Sequence, residues 1–118
     1  MPEFSDAALN RYLDEDPGGP VVMLNLLRFR PDGGRERYDD YRRALLASGV
    51  GADAEVLFFG AGGGGALEGG EWDGVALVRY PSRKVFVEMV RSPEYRSIAH
   101  LRREALADAV LQPTTWLS

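Results

Sequence analysis

Few side chains in this sequence are able to do chemistry, and their types narrow the reactions before any fold is considered. There is no cysteine and one histidine, His100. That excludes thiolate nucleophiles, iron–sulfur clusters, cysteine zinc sites and a multi-histidine metal site within one chain, so no metal or cofactor is expected. Histidine base catalysis would fall to His100. A helix that turns Ile98, Leu101 and Ala105 inward, however, leaves His100 on the outer arc with Arg96, Arg103, Glu104 and Ala107. The residue that stands out is Asn25, an amide in the middle of the apolar run Val21 to Phe29. Unpartnered there, an amide costs roughly 1–3 kcal/mol, so it must bond either to backbone or buried water, or to a ligand. Trp72, Arg79 and Tyr80 offer an indole, a cation and a phenol near strand ends. Such groups orient a small aromatic or carboxylate compound, or equally serve an interface.

A glycine run, Gly60-Ala61-Gly62-Gly63-Gly64-Gly65, formally satisfies G-x-G-x-x-G. The dinucleotide fingerprint needs its glycines to lead into a helix whose N-terminus receives a pyrophosphate. Here Ala66-Leu67-Glu68-Gly69-Gly70 leads towards another strand, and no Gly-Lys-Ser/Thr follows. The run is read as a flexible hairpin connection.

The elements that must position these residues follow from periodicity and punctuation. Ser5 caps a helix over about 6 to 14, ended by Asp16-Pro17-Gly18-Gly19-Pro20. Val21 to Arg30 reads as a strand. Arg35 to about Ser48 reads as an amphipathic helix, with Tyr38, Tyr41 and Leu45 at i, i+3 and i+7, stopped by Gly49 and Gly51. Glu55 to Phe59 and Trp72 to Tyr80 read as strands. A helix from Pro81-Ser82 to about Arg91 and another from Ser92-Pro93 to about Asp108 come next, then an edge strand from Val110 to Leu117 that tolerates Pro113. The order is an N-terminal helix, then βαββαβ, the split pattern of a ferredoxin-like α+β sandwich with an antiparallel four-stranded sheet. Leu27-Arg28-Phe29 and Val78-Arg79-Tyr80 at two strand ends, with Tyr41-Arg42 and Tyr95-Arg96 in the helices, add a weak internal repeat.

With 118 residues, 45% apolar and 27% charged, the chain suits one domain over residues 1–118, in which 1–19 form a helical appendage. Fourteen basic and eighteen acidic side chains give −4, so no nucleic acid or anionic membrane partner is expected. No apolar run is long enough to span a bilayer, and Met1 to Asp6 lacks the regions of a signal peptide. The expected setting is the cytoplasm. Both strand parities are apolar: Val21, Met23, Asn25, Leu27 and Phe29 against Val22, Leu24 and Leu26; Val56 and Phe58 against Leu57 and Phe59; Ala76 and Val78 against Val75 and Leu77. Leaving one face wet sacrifices roughly 1.5–3 kcal/mol per large residue. A homodimer meeting sheet to sheet is the economical answer.

The strand Val22 to Arg30, the segment Tyr38-Asp39-Asp40-Tyr41 and above all Glu71-Trp72-Asp73-Gly74-Val75-Ala76-Leu77-Val78-Arg79-Tyr80-Pro81-Ser82, followed by Phe86, Met89 and Ser92-Pro93-Glu94-Tyr95, resemble the bacterial family called domain of unknown function 1330, over about 20 to 117. The resemblance implies the dimeric α/β-barrel superfamily and transfers no activity. Some cofactor-independent and haem-degrading monooxygenases of that superfamily use an Asn on the first strand with a Trp and sometimes a His. Asn25 and Trp72 are similar in type, while His100 on the outer arc breaks the pattern. Two functions stay open, with enzymatic activity undecided. One is a homodimer binding a small organic molecule between sheet and helices, with Asn25, Trp72, Arg79 and Tyr80 as candidate contacts. The other is a cofactor-independent oxygenase or isomerase acting on a small aromatic or carbonyl compound. A purely structural dimer is a third possibility.

Overall fold

A computed structural model describes residues 5–117. Helix α1 (Asp6–Asp14) is followed by β1 (Val21–Phe29), α2 (Gly34–Ser48), β2 (Glu55–Ala61), β3 (Gly74–Tyr80), α3 (Arg83–Arg91), α4 (Pro93–Ala105) and β4 (Leu106–Thr114). All pairings are antiparallel, in the order β2-β3-β1-β4. This is the ferredoxin-like α+β sandwich expected from the βαββαβ order, with Pro113 on the edge strand β4.

Serine side chains set three helix starts. Ser5, Ser82 and Ser92 accept from the backbone N–H of Ala8, Val85 and Tyr95, and Pro93 follows Ser92 at the first helical turn. Helix α2 starts differently. Gly33 has φ +100°, open only to glycine at low cost, and a Cβ on Gly34 would run into the Ala105 carbonyl. The Gly33-Gly34 pair thus lets α2 begin hard against the end of α4.

Several boundaries differ from the sequence reading. Helix α4 stops at Ala105 rather than Asp108, and β4 occupies 106–114 rather than 110–117. The chain passes from helix to strand without a loop, because Leu106 is fully buried opposite Phe29 and the Ala105 carbonyl accepts from Arg30 N–H at 2.9 Å. No glycine or proline marks that switch. Strand β3 begins at Gly74 rather than Trp72, and β1 ends at Phe29 rather than Arg30. Ser82 is a cap, with the helix starting at Arg83. Strand β2 runs on to Ala61 and carries a bulge: Val56 pairs with Val78, yet Phe58 pairs with the next residue, Leu77. Leu57 is the extra residue. Val56 and Phe59 therefore share a face, and Phe58 lies on the other, correcting the expected pairing of Val56 with Phe58.

Ladder registry divides the sheet cleanly. One face carries Val21, Met23, Asn25 and Leu27 of β1 beside Tyr80, Val78 and Ala76 of β3, Phe59 of β2 and Leu111 of β4. Most of these belong to or pack against the buried core, which continues through Tyr38 and Tyr41 of α2, Phe86, Val87 and Val90 of α3, and Tyr95 of α4. Helix α1 adds Leu9, with Tyr12 edge-on to Phe86 at 6.4 Å. The opposite face carries Leu24, Leu26, Val75, Leu77, Phe58 and Val110, none of which takes part in that core.

Candidate functional site

A cavity of about 340 Å³ lies between the core face of the sheet and helices α2, α3 and α4. Asn25 and Ala76 form its floor with Val78, Tyr80 and Leu111; Tyr38, Tyr41 and Leu45 line it from α2, Phe86, Met89 and Val90 from α3, and Tyr95 and Arg102 from α4. The exposed residues among its lining, Arg42, Leu46, Gly49, Ala52 and Val56, place its mouth between the end of α2 and β2. Concave, mostly apolar and furnished with a few polar groups, it has the character of a small-ligand site.

Its polar groups come from elements that sequence periodicity places well. On α2, Tyr38 and Tyr41 occupy the inward stripe, and on α4 Tyr95 and Arg102 stand two helical turns apart on one stripe. The Tyr41 and Tyr95 hydroxyls are hydrogen-bonded to each other at 2.9 Å. One donates and the other accepts, so the acceptor keeps a proton to give to a third group. Burial pushes the pKa of Tyr41 well above the ordinary phenol value, with proximity to the Tyr95 phenol raising it further. Burial likewise raises Tyr80 and Tyr38, and the Arg102 guanidinium opposes this at both. The Arg102 contact with the Tyr38 phenol leaves Nη2 buried without a partner. A charged donor left so costs on the order of 1–3 kcal/mol or more. Arg42 stacks over Phe59 at 4.0 Å. No Asp or Glu is among the described residues that line the cavity.

The four residues singled out from sequence separate. Asn25 lines the cavity, and its amide makes one long bond, Nδ2–H to the Met23 carbonyl at 3.4 Å. Tyr80 also lines it. Arg79 lies on the opposite face, between Val22 and Glu55 in the ladders. Trp72 lies just before β3, under the Arg28 guanidinium at 4.5 Å. Arg28 also reaches the Glu71 carbonyl (2.8 Å) and Asp108 (3.2 Å), while Asp73 Oδ2 accepts from Phe29 N–H at 2.9 Å and Asp73 N–H donates to the Leu27 carbonyl. Trp72 and Asp73 thus lock the end of β1 to the start of β3. His100 is exposed. Sequence reasoning passed over Arg102 and Tyr95 as site residues; the available signal was a cation and a phenol on the same helical stripe. Among the described residues no group of three or more His, Cys, Asp or Glu is placed to hold a metal, and no helix is long and apolar enough to cross a membrane.

The family model described as domain of unknown function (DUF1330) matches residues 33–112. A crystal structure of the RPA0582 protein of unknown function from Rhodopseudomonas palustris is similar at 30% identity and TM-score 0.87, covering 98% of this chain and 96% of that one. A dimeric ferredoxin-like protein of unknown function from Thermobifida fusca is similar in fold, at 19% identity, TM-score 0.62 and coverage of 85% and 93%. So is a dabb family protein with a ferredoxin-like fold from Mesorhizobium loti, at 7% identity, TM-score 0.59 and coverage of 85% and 99%. No curated protein matches the chain.

Proposed function

We propose, from the premise that this chain belongs to the domain of unknown function 1330 family, that it is a homodimer whose subunits each bind a small organic molecule between the sheet and helices α2, α3 and α4. The observation that carries the binding reading is the cavity of about 340 Å³, whose walls are apolar and whose phenols, amide and guanidinium converge on one space. Dimerisation is supported by the second sheet face, where Leu24, Leu26, Val75, Leu77, Phe58 and Val110 form an apolar centre edged by Arg28, Asp108, Arg79, Glu55 and Gln112. Apolar centre and polar rim are the anatomy of a protein interface.

Catalysis is the weaker reading. Asn25 is the only amide side chain among the described lining residues, and no carboxylate or imidazole accompanies it to move a proton. Trp72 is outside the cavity.

The test is capture. Protein purified without added ligand is denatured and its released small molecules identified by mass spectrometry, alongside ligand-observed NMR with small aromatic and aliphatic compounds. Binding in the wild type that Asn25→Leu alters, with unchanged circular dichroism, is the expected result. A wild-type protein that releases nothing and binds nothing overturns the reading.

A further inference from the structure

The cavity carries a charge signature opposite to that of the chain. Eighteen acidic side chains outnumber fourteen basic ones overall, yet the described lining residues include Arg42 and Arg102 and no carboxylate. The two arginines differ in their engagement. Arg42 is exposed at the mouth with its charge over the Phe59 ring, whereas Arg102 has its Nη2 buried without a hydrogen-bond partner. The same lining holds the Tyr41–Tyr95 hydroxyl pair, with one spare O–H donor, and the Arg102 charge is felt at Tyr41.

We propose that Arg102, with the Tyr41–Tyr95 pair, receives the carboxylate of a monocarboxylic acid whose apolar, aromatic or short aliphatic body fills the rest of the cavity. This rests on the binding reading above and names its ligand class. A guanidinium presents a planar fork matched to a carboxylate, and charge-assisted hydrogen bonds are strongest where water is excluded. The second lining cation, Arg42, is exposed at the mouth and stacked over Phe59, so the interior pairs Arg102 with a single negative charge rather than a dianionic phosphate. The remaining walls supply Phe86, Met89, Val90, Leu45 and Val78, surfaces for a ring or alkyl chain.

Isothermal titration of the wild type with benzoate, phenylacetate, 3-phenylpropionate and octanoate, each against its neutral primary amide, tests the head group without any variant. At least one acid is expected to bind about 10- to 100-fold more tightly than its amide. Arg102→Gln is expected to abolish that preference, and Arg102→Lys to restore part of it. Acids and amides binding equally, or a preference that survives in a folded Arg102→Gln protein, overturns the carboxylate assignment and leaves cavity binding standing. A wild type that binds neither set overturns both.

Discussion

At the scale of single residues, the most constrained groups are phenols. Tyr38, Tyr41 and Tyr80 are buried around one cavity, and Tyr12 is partly buried against α3, with the pKa of each raised chiefly by burial. At Tyr12 the Arg83 guanidinium, 4.3 Å from the ring centre, opposes the rise. A phenol whose folded pKa exceeds its unfolded value of 10.0 stays protonated longer in the native state. Native protein then binds more protons than unfolded protein above that pH, so stability is intact below about pH 10 and falls as pH climbs towards the folded values. Absorbance at 295 nm should therefore show these four tyrosines resisting ionisation near pH 10, then titrating together with loss of the circular dichroism signal. Four independent titrations near 10 in folded protein would contradict the buried arrangement.

Among elements, the start of α2 and the end of α4 approach closely at Gly34 and Ala105. Gly34 is buried and any side chain there meets the Ala105 carbonyl, backbone that cannot swing away. Gly34→Ala should destabilise the protein by roughly 1–3 kcal/mol in urea unfolding, whereas Gly63→Ala, with open space around it, should change stability little. The same junction shows how far sequence could reach. Serine caps and glycine stops marked the other helices within a residue or two, because those signals are local. The α4–β4 switch has no such mark; Leu106 becomes strand because Phe29, distant in sequence, pairs with it. The β2 bulge was hidden for a related reason, since Leu57, Phe58 and Phe59 are equally apolar and only registry against β3 decides their faces. Of the site, Asn25 was legible as an amide out of place. Arg102 was not, because the absence of a partner is a property of packing rather than of spacing.

For the whole molecule, α1 and the uncovered sheet face matter most. Arg83 ties α1 down through the Tyr12 carbonyl (2.8 Å) and Asp16 (3.7 Å), and Tyr12 meets Phe86, which itself lines the cavity edge-on to Tyr80 at 5.1 Å. Arg83→Ala should lower the thermal midpoint and weaken any ligand captured in the cavity, by loosening Phe86 from behind. On the other side of the sheet, light scattering should give about 26 kDa, twice the 13.0 kDa chain. Leu77→Asp, which sets a charge in the middle of the apolar face, should shift the mass towards that of one chain while leaving the far-ultraviolet spectrum folded. A wild type that stays monomeric at every concentration would exclude the dimer.

The bulge in β2 marks a place where this strand can lose a residue without losing its pairing. Removing Leu57 would leave Val56 opposite Val78, Phe58 opposite Leu77 and Phe59 opposite Ala76, the registry they already have. A one-residue deletion at a regularly paired position, such as Leu26 in the middle of β1, would turn every following side chain over to the wrong face. Relatives lacking one residue in this strand are expected to have lost it here, and a Leu57 deletion should fold where a Leu26 deletion does not.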